Sequence, residues 1–261
     1  KKVILTLADN TTNTITDSSR LSTEEDYSAA IYSKEDLIIN GNGTLNVNAG
    51  YRNGIKSTDD CIIVSGTLNI TSTEDGIIGK DLCGIVAGDI NINAGSDGIK
   101  STYDTDTTKG NVIIEGGNIT IKASNDGIQA ENILVINDGT INIKTNNGAA
   151  DTTQTHIDNM DMGRGGFGFN NNKTTTTTDD TSESRKGIKA GNMLIINDGD
   201  ITIDSDDDSV HCNSVIYIYG GTINAATGDD GVHADDLLTV NGGTINITQC
   251  YEGLEADDIV I

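Results

Sequence analysis

Two kinds of side chain recur in this 261-residue chain at a spacing that could do chemistry, carboxylates and cations. One set of carboxylates directly precedes a recurring Gly or Ser: Asp75, Asp97, the pairs Asp207-Asp208 and Asp229-Asp230, and Glu252. A second set follows four or five residues later, as Asp59, Asp81, Asp235, Asp236, Asp257 and Asp258. Between them each repeat places one residue of a mostly polar series: Lys56, Ile78, Lys100, Gln129, Lys189, His211, His233 and Glu255. Carboxylates stacked about 5 Å apart repel one another. A hard cation such as Ca²⁺ removes that cost by taking roughly 6 to 8 oxygens. Asp75, Asp97, Asp207, Asp208, Asp229, Asp230, Asp235, Asp236 and Glu252 are therefore the expected calcium ligands, and the denser C-terminal group is the stronger candidate. Asp204 to Ser209 opens like an EF-hand loop but lacks its Gly and has Val215 where the Glu should stand. His211 and His233 lie one repeat apart, and two His without a third ligand at the right spacing are a weak zinc signal.

The polar series has two readings. With calcium it makes a groove in which Lys56, Lys100, Lys189, His211 and His233 hold a carboxylated sugar. Without it the series is salt-bridged surface, worth little energetically. Tyr217 and Tyr219, two residues apart on one face, could pack on the flat apolar face of a sugar.

These residues need an element that repeats. Take the Gly of each Asp-Gly step as position zero. The glycines at 54, 76 and 98 are 22 apart, as are positions 187, 209, 231 and 253, where Ser209 replaces Gly. Ile, Val or Leu follows at once, then the polar series, then a small residue such as Ser57, Gly79, Ala190 or Cys212. This alternation is a short strand with one face inward. A second apolar strand follows, such as Val215-Ile216-Tyr217-Ile218, then a Gly-Gly or Asp-Gly corner, then a strictly alternating third, such as Ile141-Asn142-Ile143. Three strands and three turns use up the repeat and leave no room for a helix. The expectation is a right-handed parallel β-helix of about ten coils, a single domain over residues 1–261 with ladders of Ile inside. The corner and Asp-Gly glycines are expected to serve backbone with positive φ. Cys61, Cys83 and Cys212 fall inward as buried thiols, with a Cys61–Cys83 disulfide geometrically open. On the second strand Ile62, Val64, Ile113, Val135 and Ile195 face outward beside Tyr217, an apolar outer face.

Composition agrees with a solenoid. There is no Pro or Trp, and aromatics are 3%, so the core must be aliphatic. A net charge of −24 argues against nucleic acid and anionic membrane, both of which need a basic footprint. No apolar run is long enough to span a bilayer. Lys1 to Leu7 is too short for a signal peptide and reads as the start of a mature domain. Residues 149–185 interrupt the repeat with low-complexity sequence, including Phe167 and Phe169, the only two Phe of the chain. That insertion is expected to be mobile, either a functional lid or passive decoration.

The steps Asp-Gly-Ile-Lys-Ser and Gly-Gly-Thr-Ile-Asn-Ile, with Gly-Arg-Gly-Gly-Phe-Gly-Phe-Asn at 163–170, resemble a family of clostridial carbohydrate-binding β-helix domains. The resemblance covers Ala30 to the C-terminus. It implies a secreted or cell-surface protein that binds cellulose or an acidic polysaccharide such as polygalacturonate, similar in fold to Ca²⁺-dependent pectate lyases. Non-catalytic binding is the favoured reading, because the acidic groups are spread along the chain rather than gathered at one centre. The alternative is a pectate lyase, in which calcium neutralises the uronate and a Lys base takes the C5 proton. Lys100 would be that base, with Asp75 and Asp97 close by. A structural stalk or adhesin segment is the third reading.

Overall fold

The computed structural model describes residues 1–17, 28–150 and 184–261. The expectation for the 149–185 insertion, with Phe167 and Phe169, falls almost wholly outside them. The described strands form three parallel sheets of ten, nine and nine, each strand pairing with its equivalent in the next coil. They wind as a right-handed parallel β-helix, the hand that parallel crossovers take almost without exception.

The ten-stranded sheet runs from Lys2–Leu7 to Asp258–Val260 and includes Val215–Ile218. A long-strand sheet runs from Thr12–Asp17 to Thr244–Gln249. A short-strand sheet runs from Ala29–Ser33 to Leu254–Glu255, with strands of two to five residues that carry the Asp-Gly steps. Inward positions stack like on like. Ile55, Ile77, Ile99, Ile128 and Ile188 form one ladder, all fully buried. Cys61 and Cys83 are neighbours in another. Both thiols are free and buried, and burial pushes that of Cys83 up to about 12, out of reach of nucleophilic use. Among the described residues the core cluster contains no aromatic side chain.

Two findings depart from the sequence expectation. Lys2–Leu7 and Thr12–Asp17 pair with Asp36–Gly41 and Thr44–Ala49, a further coil ahead of the first one expected. It lacks an Asp-Gly step, and its second strand, TNTITD, offers one apolar residue, Ile15. The second departure concerns the glycines. Corner glycines such as Gly66, Gly88 and Gly139 do have positive φ, at 107°, 116° and 128°. The zero-position glycines do not, and close approach is what requires them. A Cβ on Gly76 would lie 2.5 Å from the Gly98 carbonyl oxygen and 2.5 Å from Cγ2 of Ile92. The same Ile is Ile121 for Gly98, Ile143 for Gly127 and Ile203 for Gly187. Ser209 is the exception, and in its coil the sequence puts Ala225 in the Ile ladder, between Ile203 and Ile247.

Candidate functional site

The polar series is one continuous ladder on the outer face of the short-strand sheet. Tyr32, Lys56, Ile78, Lys100, Gln129, Lys189, His211, His233 and Glu255 are successive register partners. At about 4.8 Å per coil it runs for roughly 40 Å. The side chains lie along the sheet rather than project from it. Ile78, on the same face, is only 2% exposed, and the side chains of Lys100 and His233 are 23% and 25% exposed.

The carboxylates before position zero form a second ladder beside the first. In five coils one carboxylate oxygen accepts the backbone N–H of its counterpart one coil on, a series interrupted at Lys186, where the Asp208 N–H turns to Asp207 Oδ1 at 2.9 Å. Asp75 takes Asp97 N–H at 3.0 Å, Asp97 takes Asp126 N–H at 3.0 Å, and Asp126 takes Lys186 N–H at 2.8 Å. Asp208 takes Asp230 N–H at 3.1 Å, and Asp230 takes Glu252 N–H at 3.0 Å. Asn53 starts the series with its amide oxygen on Asp75 N–H. These bonds answer backbone donors that the turn would otherwise bury unpaired. The second oxygen of the same carboxylate turns toward the polar ladder, three residues on for Asp97 and Asp208 and one coil further for Asp126. Lys100 donates to Asp97 at 2.6 Å, Lys189 lies 3.8 Å from Asp126, and Nδ1 of His211 lies 2.8 Å from Asp208. Lys56 instead donates to Ser28 Oγ at 3.2 Å. Burial tends to discharge Lys100, but the charge and hydrogen bond of Asp97 more than reverse this and hold the ammonium protonated. Burial, reinforced by Asp97, raises the carboxyl of Asp75.

At the C-terminal end the pattern densifies. Lys186 donates to Asp207 at 2.9 Å and to Asp208 at 2.7 Å. Asp208 is buried, which favours its neutral form, yet His211, His233 and Lys186 hold it well below the usual carboxylate range. Asp230 is pushed up to about 6 by burial, then by Glu255 and Asp208. His233 is raised to about 9, chiefly through Asp208. Three groups bring ligand atoms within 4.8 Å of one another: Asp207, Asp208 and Asp229; Asp208, His211 and His233; and Asp230, His233 and Glu255. Asp75, Asp97, Asp235, Asp236 and Glu252 join no such group among the described residues. Asp235 reaches His233 Nε2 at 3.5 Å, and Asp236 accepts from Ser214 at 2.7 Å.

The structure places the two tyrosines elsewhere. Tyr217 is in the ten-stranded sheet and pairs with Ile195 and Thr239, on a different face from the Lys and His ladder. The rings of Tyr217 and Tyr219 are near-parallel, 15° apart, with centroids at 6.2 Å. The outer ladder there continues through Ile38, Ile62, Ile113 and Val135, all half-buried. Sequence reasoning passed over Asp126 as a site residue, although it precedes Gly127 in the same step. It also passed over Tyr103, whose ring lies 4.8 Å from both the Lys80 and Lys109 ammonium groups. Tyr103 sits in an irregular loop, where no periodicity could mark it.

Fold and site together define a parallel β-helix whose face carries a linear charged ladder, with three groups of carboxylate and His donors gathered at one end. The chain belongs to the family of carbohydrate-binding domain-containing proteins, whose model matches residues 1–231. A carbohydrate-binding domain-containing protein of Acetivibrio thermocellus is 38% identical over 74 residues, 27% of this chain and 26% of that protein. The polysaccharide lyase-like protein of C. thermocellum, solved as a gadolinium derivative, superposes with a TM-score of 0.53 at 35% identity, over 56% of this chain and 60% of that one. The chain thus spans about a quarter and three-fifths of the lengths of these two relatives.

Proposed function

We propose that this is a non-catalytic protein that binds plant cell-wall polysaccharide, cellulose or an acidic pectin-like polymer, along the short-strand face. Ca²⁺ would be held among its acidic C-terminal turns. The observation that carries the reading is the ladder from Lys56 to Glu255, one residue per coil in unbroken register. A linear array of weak contacts suits a linear polymer. Asp207, Asp208 and Asp229 are an oxygen-only donor set, which fits a hard cation. Calcium there would neutralise the carboxylates of an acidic sugar chain. Such polymers lie outside cells, which supports a secreted or cell-surface location. No helix among the described residues is long and apolar enough to cross a membrane.

Binding is favoured over lysis by the state of Lys100. A base must be neutral to take a proton, and Asp97 at 2.6 Å keeps this ammonium charged. The test is co-sedimentation with cellulose and with polygalacturonate, with and without chelator, while the absorbance of unsaturated product is followed. Retention on either polymer without product is expected, with chelator weakening the polygalacturonate arm. Product formation that Lys100→Ala abolishes would replace binding by lysis, and retention on neither polymer would remove the proposal.

A further inference from the structure

We propose that Asp208, His211 and His233 bind a first-row transition-metal cation of the Zn²⁺ class, at a site that shares Asp208 with the oxygen-only group nearby but differs from it in having two nitrogen ligands. The two histidines are register partners on adjacent coils, with ring centroids 4.9 Å apart and planes at 79°. That geometry turns both Nδ1 atoms toward one oxygen. Oδ2 of Asp208 is 2.8 Å from Nδ1 of His211 and 3.7 Å from Nδ1 of His233.

The far ring nitrogens are also met by oxygen. Nε2 of His211 lies 2.9 Å from Oδ1 of Asn213, and Nε2 of His233 lies 3.5 Å from Oδ1 of Asp235. These acceptors can hold a proton on each Nε2, so that a metal could take the place of the Nδ1 protons that the rings share with Asp208. A second oxygen partner that fixes the tautomer in this way is the usual companion of a metal-bound histidine. Two ring nitrogens and a carboxylate oxygen lie within 4.8 Å of one another, close enough to share one cation.

Asp208 is set up for the role. Its Oδ1 is taken by the Asp230 N–H, so Oδ2 alone faces the histidines. Lys186 also reaches Oδ2, but its second bond, to Asp207, anchors it without Asp208. Asp230 and Glu255 each place a carboxylate oxygen 3.5 Å from Nδ1 of His233 and can complete the set. Imidazole nitrogen favours Zn²⁺, Co²⁺, Ni²⁺ or Cu²⁺ over Ca²⁺. Only the neighbouring coil repeats the pairing, as Asp230 with His233; in the other described coils the equivalent pairs include Asp75 with Ile78, Asp97 with Lys100, Asp126 with Gln129, and Lys186 with Lys189.

The test strips the full chain with chelator, then titrates it with Co²⁺, followed by its visible absorption, and with Zn²⁺ by calorimetry, both in excess Ca²⁺. One equivalent is expected to bind. His211→Ala and His233→Ala should each lose most of the affinity. Asn213→Ala, which touches only the outer partner, should lose about tenfold or more. Asp229→Asn should bind Co²⁺ as the wild type does. As a readout independent of any variant, Zn²⁺ should protect His211 and His233 from acylation mapped by mass spectrometry. Displacement of Co²⁺ by Ca²⁺, equal affinity in the histidine variants, or unprotected rings would overturn the assignment.

Discussion

Ala225→Ile tests the packing rule of the fold directly. At Gly187, one coil before Ser209, a Cβ would stand 2.4 Å from Cγ2 of Ile203, far inside contact distance. At Gly231, one coil after, it would stand 2.3 Å from Cδ1 of Ile247. Ser209 carries a Cβ, and its ladder partner between Ile203 and Ile247 is Ala225. An Ile at 225 would drive branched methyls into the Ser209 Cβ in a ladder with no slack, since Ser209 is buried and Ala225 is 3% exposed. Overpacking of this kind costs about 1–3 kcal/mol. Ser209→Gly should remove the clash, at the loss of the Ser209–Ser205 hydroxyl contact at 3.1 Å, worth about 1 kcal/mol. The double variant is therefore expected within about 1 kcal/mol of wild type, with a coupling of about 2 kcal/mol in the four-protein cycle. Guanidinium melts followed by far-UV circular dichroism measure all four. If Ala225→Ile is as stable as wild type, or Ser209→Gly fails to rescue it, the close-approach explanation of the glycines is wrong.

The carboxylate ladder makes further predictions. Asp75→Asn keeps the oxygen that accepts Asp97 N–H, as Asn53 does for Asp75, but removes a buried charge. The folded-state pKa of Asp75 is raised, so its favourable contribution is complete below the unfolded value near 3.8 and is lost as pH rises through the folded one. The variant should be more stable than wild type at pH 7, and the gap should close by about pH 3 in melts run across that range. Asp126→Ala leaves the Lys186 N–H without its 2.8 Å acceptor and should cost about 1–3 kcal/mol, read as a lowered denaturation midpoint. Calcium at a hundredfold excess over its Kd should add about 2.7 kcal/mol to stability. Scanning calorimetry should therefore show Tm falling on chelation in the wild type and not in Asp229→Asn, and a wild-type Tm indifferent to chelator would remove the calcium site.

The coil path was legible in the sequence because each coil repeats the same alternation. Position zero and the inward Ile could be read at Gly76-Ile77 and again at Gly98-Ile99, and both fall in register in the structure. The outer ladder was legible for the same reason, residue by residue from Lys56 to Glu255. What was hidden lies between coils. That each carboxylate gives one oxygen to a backbone N–H 22 or more residues away depends on how the turn is oriented, and a list of Asp positions does not contain it. Asp75 and Asp97, expected as cation ligands, thus also meet a backbone donor and, for Asp97, Lys100. Tyr217, by contrast, was readable as an outward residue of the second strand, apart from the Lys ladder, and it lies there in the ten-stranded sheet. The first coil escaped notice because Thr12–Asp17 gains its place through pairing with Thr44–Ala49 rather than through apolar content of its own.

The central claim is that a polysaccharide lies along the Lys and His face. It is tested most directly by titrating cellulose-derived and galacturonate oligosaccharides into three proteins: wild type, the triple variant Lys56→Ala, Lys100→Ala and Lys189→Ala, and the double variant Tyr217→Ala and Tyr219→Ala. The account predicts that the triple variant loses at least tenfold in affinity for the bound oligosaccharide while the tyrosine variant retains it. Loss in the tyrosine variant alone, with the lysine variant binding as wild type, would move the site to the ten-stranded sheet and contradict the account.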